Sequence, residues 1–62
     1  MDAYSKRSNA RQSVIEHYNN GWGFVEIRED IGNRYGFGER FVKKMIQEYE
    51  EYRAAVQKAK TE

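Results

Sequence analysis

The sequence predicts an all-α chain of three helices, the last of them long. Two observations carry this prediction. Apolar residues recur at three- and four-residue spacing: Val14, Ile15 and Tyr18; Ile27, Ile31 and Tyr35; Val42, Met45 and Tyr49. The breaks between these segments hold Gly21 and Gly23, then Gly36 and Gly38, while proline is absent. The stretch Phe24 to Ile31 alternates briefly as a strand would, yet its apolar residues continue at helical spacing to Tyr35, so no strand is expected.

Residues 1 to 8 are polar and without periodicity and read as a flexible arm: either an ordinary loose terminus, or one whose Lys6 and Arg7 order on phosphate. Helix 1 is predicted to begin after Ser8 or Asn9, either of which can cap exposed N–H groups, and to run to Asn19 with Val14, Ile15 and Tyr18 buried. His17 lies beside that stripe and, with no second ligand in view, reads as a boundary residue rather than a catalyst or metal ligand. Trp22, between two glycines, is expected to fold over the start of helix 2 as a staple to the core; stacking on DNA or on a partner is the weaker alternative.

Helix 2, from about Phe24 to Tyr35, is predicted to bury Phe24, Ile27, Ile31 and Tyr35 and to point Glu26, Glu29, Asp30 and Asn33 away. Acids in its first turns suit the positive end of a helix dipole. Gly32 breaks the rule that helix interiors avoid glycine, at a cost of about 1 kcal/mol relative to alanine. A close approach by the following helix would explain it. Gly36 ends helix 2, Phe37 plugs the corner, and helix 3 opens at Gly38 or Glu39 and continues to about Lys60. Beyond Tyr49 its apolar stripe goes on as Tyr52 and Val56, which either pack back on helix 1 or pair with another subunit.

The formal net charge is +1, with no cysteine, so there is no disulfide, thiolate nucleophile or cysteine zinc site. Neither an apolar leader nor a run of membrane-spanning length is present, which predicts a cytoplasmic chain. Charge is segregated: from Arg34 to Gln47, the cations Arg34, Arg40, Lys43 and Lys44 face a single acid, Glu39. On helix 3, Arg40, Lys43, Lys44 and Gln47 share the side roughly opposite Phe41, Val42, Met45 and Tyr49, a strip suited to a polyanion.

The run Ile31-Gly32-Asn33-Arg34-Tyr35-Gly36-Phe37, followed by Val42 and Met45, resembles the helix-turn-helix of bacterial and phage regulators. A small residue stands four before the turn glycine, apolar residues stand just before each of the two and just after the turn glycine (Ile31, Tyr35 and Phe37), and two more follow six and nine residues after that glycine. The resemblance covers about a third of the chain. With helix 1 it implies a trihelical domain over residues 9 to 50, leaving residues 51 to 62 as a C-terminal helix extension. It further implies that the second helix of the motif enters the major groove of double-stranded DNA. On that basis Glu39, Arg40, Lys43, Lys44 and Gln47 become base-contacting residues, with Gly38 admitting close approach of the backbone. Lys6, Arg7, Arg11 and Arg34, together with the N–H groups near Phe24, become the phosphate contacts. Glu26 and Glu29 depart from the family, since they stand where a phosphate would lie, and Glu51 bounds the strip at Gln47.

The function expected is sequence-specific DNA binding by a small phage, plasmid or bacterial regulator, as a homodimer joined through Tyr49, Tyr52 and Val56. The DNA-recognition domain of a phage terminase small subunit, or a recombination accessory protein, would carry the same local pattern. In a different class, five tyrosines and one tryptophan suit a helical protein-interaction module or inhibitor. An enzyme is not expected, nor a cofactor, a metal, a membrane or a small-molecule substrate. One histidine, no cysteine, no phosphate-binding glycine loop and only scattered carboxylates remain for chemistry.

Overall fold

The computed structural model describes residues 3 to 60, in three helices: α1 (Ala3–Asn19), α2 (Phe24–Tyr35) and α3 (Glu39–Lys60). No strand occurs among the described residues, and the fold is all-α with a long C-terminal helix. At 1.5 Å per residue α3 is about 33 Å long. It accounts for most of the longest dimension of a body measuring 41 × 26 × 18 Å.

Each helix contributes residues to one core: Ala10 and Val14 from α1, Ile27 and Ile31 from α2, and Phe41, Val42 and Met45 from α3. Tyr18, Phe24, Tyr35, Phe37 and Ile46 close its edges, half-buried. On α1 the inward stripe is Ala10, Ser13, Val14 and Tyr18, so Ile15 lies at the margin instead of the centre. Ala10, fully buried, has the smallest side chain in the core and leaves room for α1 to approach its neighbours.

Helix 1 starts at Ala3, well before the Ser8 or Asn9 expected from capping, so residues 3 to 8 are helical rather than an arm. The reason is tertiary. Lys6 Nζ sits 5.7 Å from the centroid of the Phe37 ring, and the Arg7 guanidinium sits 5.2 Å from that of Phe41. These cation–π contacts and the stems beneath them give the first turns of α1 a surface to lie on.

Helix 2 is capped by Gly23, whose N–H donates to Glu26 Oε1 at 3.2 Å. It ends at Gly36, in the left-handed region at φ +80°, where the Gly36 N–H reaches the Gly32 carbonyl at 3.0 Å and that of Ile31 at 3.2 Å. A Cβ at that φ is strained for any L residue, which explains glycine at the turn. Phe37 then stacks on Phe41, with centroids 4.2 Å apart and planes at 14°.

Gly32 departs from expectation. The nearest atom to a Cβ placed there is the Phe37 carbonyl oxygen of the turn, at 3.6 Å, an ordinary van der Waals distance and not a helix crossing. Gly32→Ala is therefore expected to stabilise the chain by about 0.5–1 kcal/mol through helix propensity. A chemical-denaturation midpoint lower than that of the parent would contradict the open geometry at this position.

Candidate nucleic-acid interface

The outer side of α3 carries Glu39, Arg40, Lys43, Lys44 and Gln47, all exposed and lining one open depression. Periodicity alone places them there, because Phe41, Val42 and Met45 hold the opposite side in the core. Their charges are not equally available. Lys43 Nζ pairs with Glu39 Oε1 one turn earlier at 3.1 Å, and lies 5.9 Å from the centroid of Phe24. Arg40 and Lys44 make no ion pair, hydrogen bond or ring contact among the described residues, so theirs are the uncompensated cations of this strip.

Lys6 and Arg7, through their seats on Phe37 and Phe41, stand beside the turn into α3. The fold thus brings two cations of α1 to the end of α3 that bears Arg40. Arg11 lines a cleft between α1 and α3 with Met45 and Glu48.

Arg34, expected among the phosphate contacts, is turned to internal partners. Its Nη2 donates to Ser13 Oγ and to the Tyr35 hydroxyl, each at 3.1 Å, and its Nη1 lies 3.6 Å from Asp30 Oδ2. Ser13 Oγ and the Tyr35 hydroxyl are themselves 3.1 Å apart, closing a triangle between α1 and α2. The hydrogen bond with Ser13, and then that from Arg34, lower the Tyr35 phenol below the usual tyrosine value. The hydrogen bond with Tyr35, ahead of the charge of Asp30, raises Arg34.

Asp30 does not point away as expected. Its Oδ2 accepts from His17 Nε2 at 2.8 Å, and the two side chains are 23% and 15% exposed. Trp22 stacks on the His17 ring, with centroids 3.8 Å apart and planes at 10°. Sequence reasoning missed this assembly. Its one signal was spacing, since Asp30 and Arg34 are one turn apart on the side of α2 that also carries Ile27.

The N–H groups at the start of α2 are partly occupied, because Glu26 already accepts from Gly23. Tyr49 is also drawn inward: its hydroxyl donates to Asn19 Oδ1 at 3.0 Å, and its ring meets Tyr18 edge-on at 6.0 Å. Tyr18 in turn is raised above the usual tyrosine value by its hydrogen bond to the Glu50 carboxylate and then by desolvation. The extension of α3 therefore packs on α1 as far as Tyr49. Beyond it Tyr52 is 65% exposed and Val56 is half-buried.

Among the described residues no three acidic or histidine side chains converge in a way that would hold a metal ion. No described helix is long and apolar enough to cross a membrane. No protein-family model matches this chain, and no curated protein or solved structure gives a significant match.

Proposed function

We propose that the chain binds double-stranded DNA as a small helix-turn-helix regulator, laying the N-terminal half of α3 in the major groove. The observation that carries this reading is the pair Arg40 and Lys44, exposed on one side of α3 and uncompensated among the described residues. Ordinary solvated helix faces tend to alternate charge so that neighbours pair; here pairing is confined to Glu39 and Lys43. Gln47, one turn further, offers the amide suited to an adenine edge, and Arg40 the fork suited to guanine. Lys6 and Arg7 extend the positive surface towards the phosphate backbone.

A single domain of this size makes a small DNA interface, so useful specificity calls for two copies. Tyr52 and Val56, rather than Tyr49, are the residues left to join them. Whether the DNA event is transcriptional control, packaging or recombination does not change the chemistry of the contact. The exposure of Tyr52 and Trp22, 65% and 39%, favours a protein partner as the second reading.

The test is retention of duplex DNA in a native gel. The Arg40→Ala/Lys44→Ala chain is expected to lose roughly fiftyfold or more in affinity at about 0.1 M salt, from the loss of two cations facing the groove, one of them the guanine-reading fork. Lys43→Ala, which removes one cation and leaves Glu39 unpaired on the same face, is expected to lose less than the double variant. Full retention by the double variant at unchanged helicity removes α3 as the DNA-binding element.

A further inference from the structure

Two surfaces of the chain are left unfilled by its own fold. The first is on α2. With Ile27 and Ile31 buried, positions 25, 29 and 32 share the side of the helix turned away from the core. Val25 stands there 54% exposed, with the exposed Glu29 one turn further on. Arg28, half-buried, flanks Val25 on the other side. Neither Glu29 nor Arg28 makes an ion pair, hydrogen bond or ring contact among the described residues. Gly32, exposed and without a side chain, continues this side and keeps the helix surface low beside Glu29.

The second lies between α1 and α3, which leave an open cleft of about 190 Å3 lined by Tyr4, Arg7, Ser8, Arg11, Met45 and Glu48. Met45, 3% exposed, is its apolar floor. Arg7 and Arg11, one turn apart, line its α1 side, and Arg7 is held there by the Phe41 ring at 5.2 Å. Tyr4, 82% exposed, adds apolar surface to that side. Glu48 lines the α3 side. Arg11 and Glu48 are both exposed and form no ion pair among the described residues.

The two surfaces match in charge and in polarity. On α2 an apolar ridge has an acid to one side and a cation to the other; the cleft has cations on one wall, an acid on the other and an apolar floor between them. Within one chain they do not meet, since Arg11 and Glu29 form no ion pair. We infer that the outer side of α2 of one copy docks into the α1–α3 cleft of a second copy of this chain. Val25 rests on Met45, Glu29 accepts from the Arg11 fork, and Arg28 faces Glu48. The contact joins two different surfaces, so it is heterologous and links copies head to tail instead of closing a two-fold pair. It does not depend on the DNA-binding reading, because the strip on α3 shares no lining residue with the cleft. A surface this small gives a weak association that salt screens.

The experiment is sedimentation equilibrium of the full chain without DNA, over a concentration series reaching about 1 mM, with helicity checked by circular dichroism. The parent is expected to show a mass that rises with concentration and falls back as salt is raised. Arg11→Glu and Glu29→Arg, each alone, are expected to weaken self-association at least about tenfold, by setting like charges against each other. Mixed in equal amounts, the two variants are expected to associate again, because the first keeps the α2 ridge and the second keeps the cleft. Both substitutions place good helix formers at exposed positions, so folding is retained. A parent that stays monomeric, single variants that associate as the parent does, or a mixture no more associated than its components would each overturn the inference. In the second of these cases the copies join elsewhere, with Tyr52 and Val56 the exposed candidates.

Discussion

Ile31→Ala is expected to unfold the chain at room temperature or leave it barely folded. Ile31 is fully buried and lies in the one core to which all three helices contribute. Removing its three outer carbons forfeits their transfer free energy and leaves a void that helices pinned at Gly36 and at the Phe37–Phe41 stack cannot easily collapse to fill. For such truncations the cost is about 3–4 kcal/mol. A core in a chain this short rarely supplies more than about 3–5 kcal/mol in total. Circular dichroism at 222 nm during urea unfolding reads the result directly. The parent should give a cooperative transition, Ile31→Val one shifted by about 1 kcal/mol, and Ile31→Ala little or no folded baseline. A transition for Ile31→Ala within about 1 kcal/mol of the parent would mean that Ile31 is not at the centre of the packing.

Asp30→Ala is expected to be the most damaging change at a polar side chain. Asp30 accepts from His17 at 2.8 Å and also lies within ion-pair distance of Arg34, so one carboxylate links α1 to the polar triangle of Ser13, Arg34 and Tyr35. A part-buried hydrogen bond to a charged group contributes about 1.5–3 kcal/mol. Asp30→Ala should cost about 2 kcal/mol, and Asp30→Asn less, because the amide oxygen still accepts from His17. The single tryptophan reports the event, since Trp22 is stacked on the His17 ring. Freed of its acceptor, His17 should move against Trp22 and change the fluorescence of the folded state before any global unfolding. Loss of stability with no change in the native emission would separate Trp22 from this linkage.

The same linkage separates local from long-range information. The bounds of α2, the course of α3 and the turn at Gly36 follow from spacing and from one glycine, because amphipathic period and left-handed backbone are properties of a few consecutive residues. Ile27, Ile31, Val42 and Met45 are core residues for the same reason. So is the exposure of Arg40, Lys44 and Gln47, which lie on the other side of a helix whose inner side is apolar. The start of α1 was not legible, since Ala3 to Ser8 have no periodicity of their own and rest on Phe37 and Phe41, some thirty positions on. Nor were the bonds of Arg34 and Asp30 to Ser13 and His17 of α1, since charged residues on a short helix read by default as solvated.

By itself the sequence determined three helices, their turns and a basic strip on α3, because each depends on residues within a turn or two of one another. Only the tertiary structure decided which cations remain available. Arg34 is bonded to Ser13 of α1, while Arg11 joins Arg7 in a cleft against α3. A charge is available or engaged according to what stands within about 4 Å of it, and for Arg34 that includes Ser13 of another helix. The glycine pair shows the same division. Gly36 is required by its own backbone angle, whereas Gly32, read from its helix-interior cost as the site of a close crossing, has only the Phe37 carbonyl oxygen beside it at van der Waals distance.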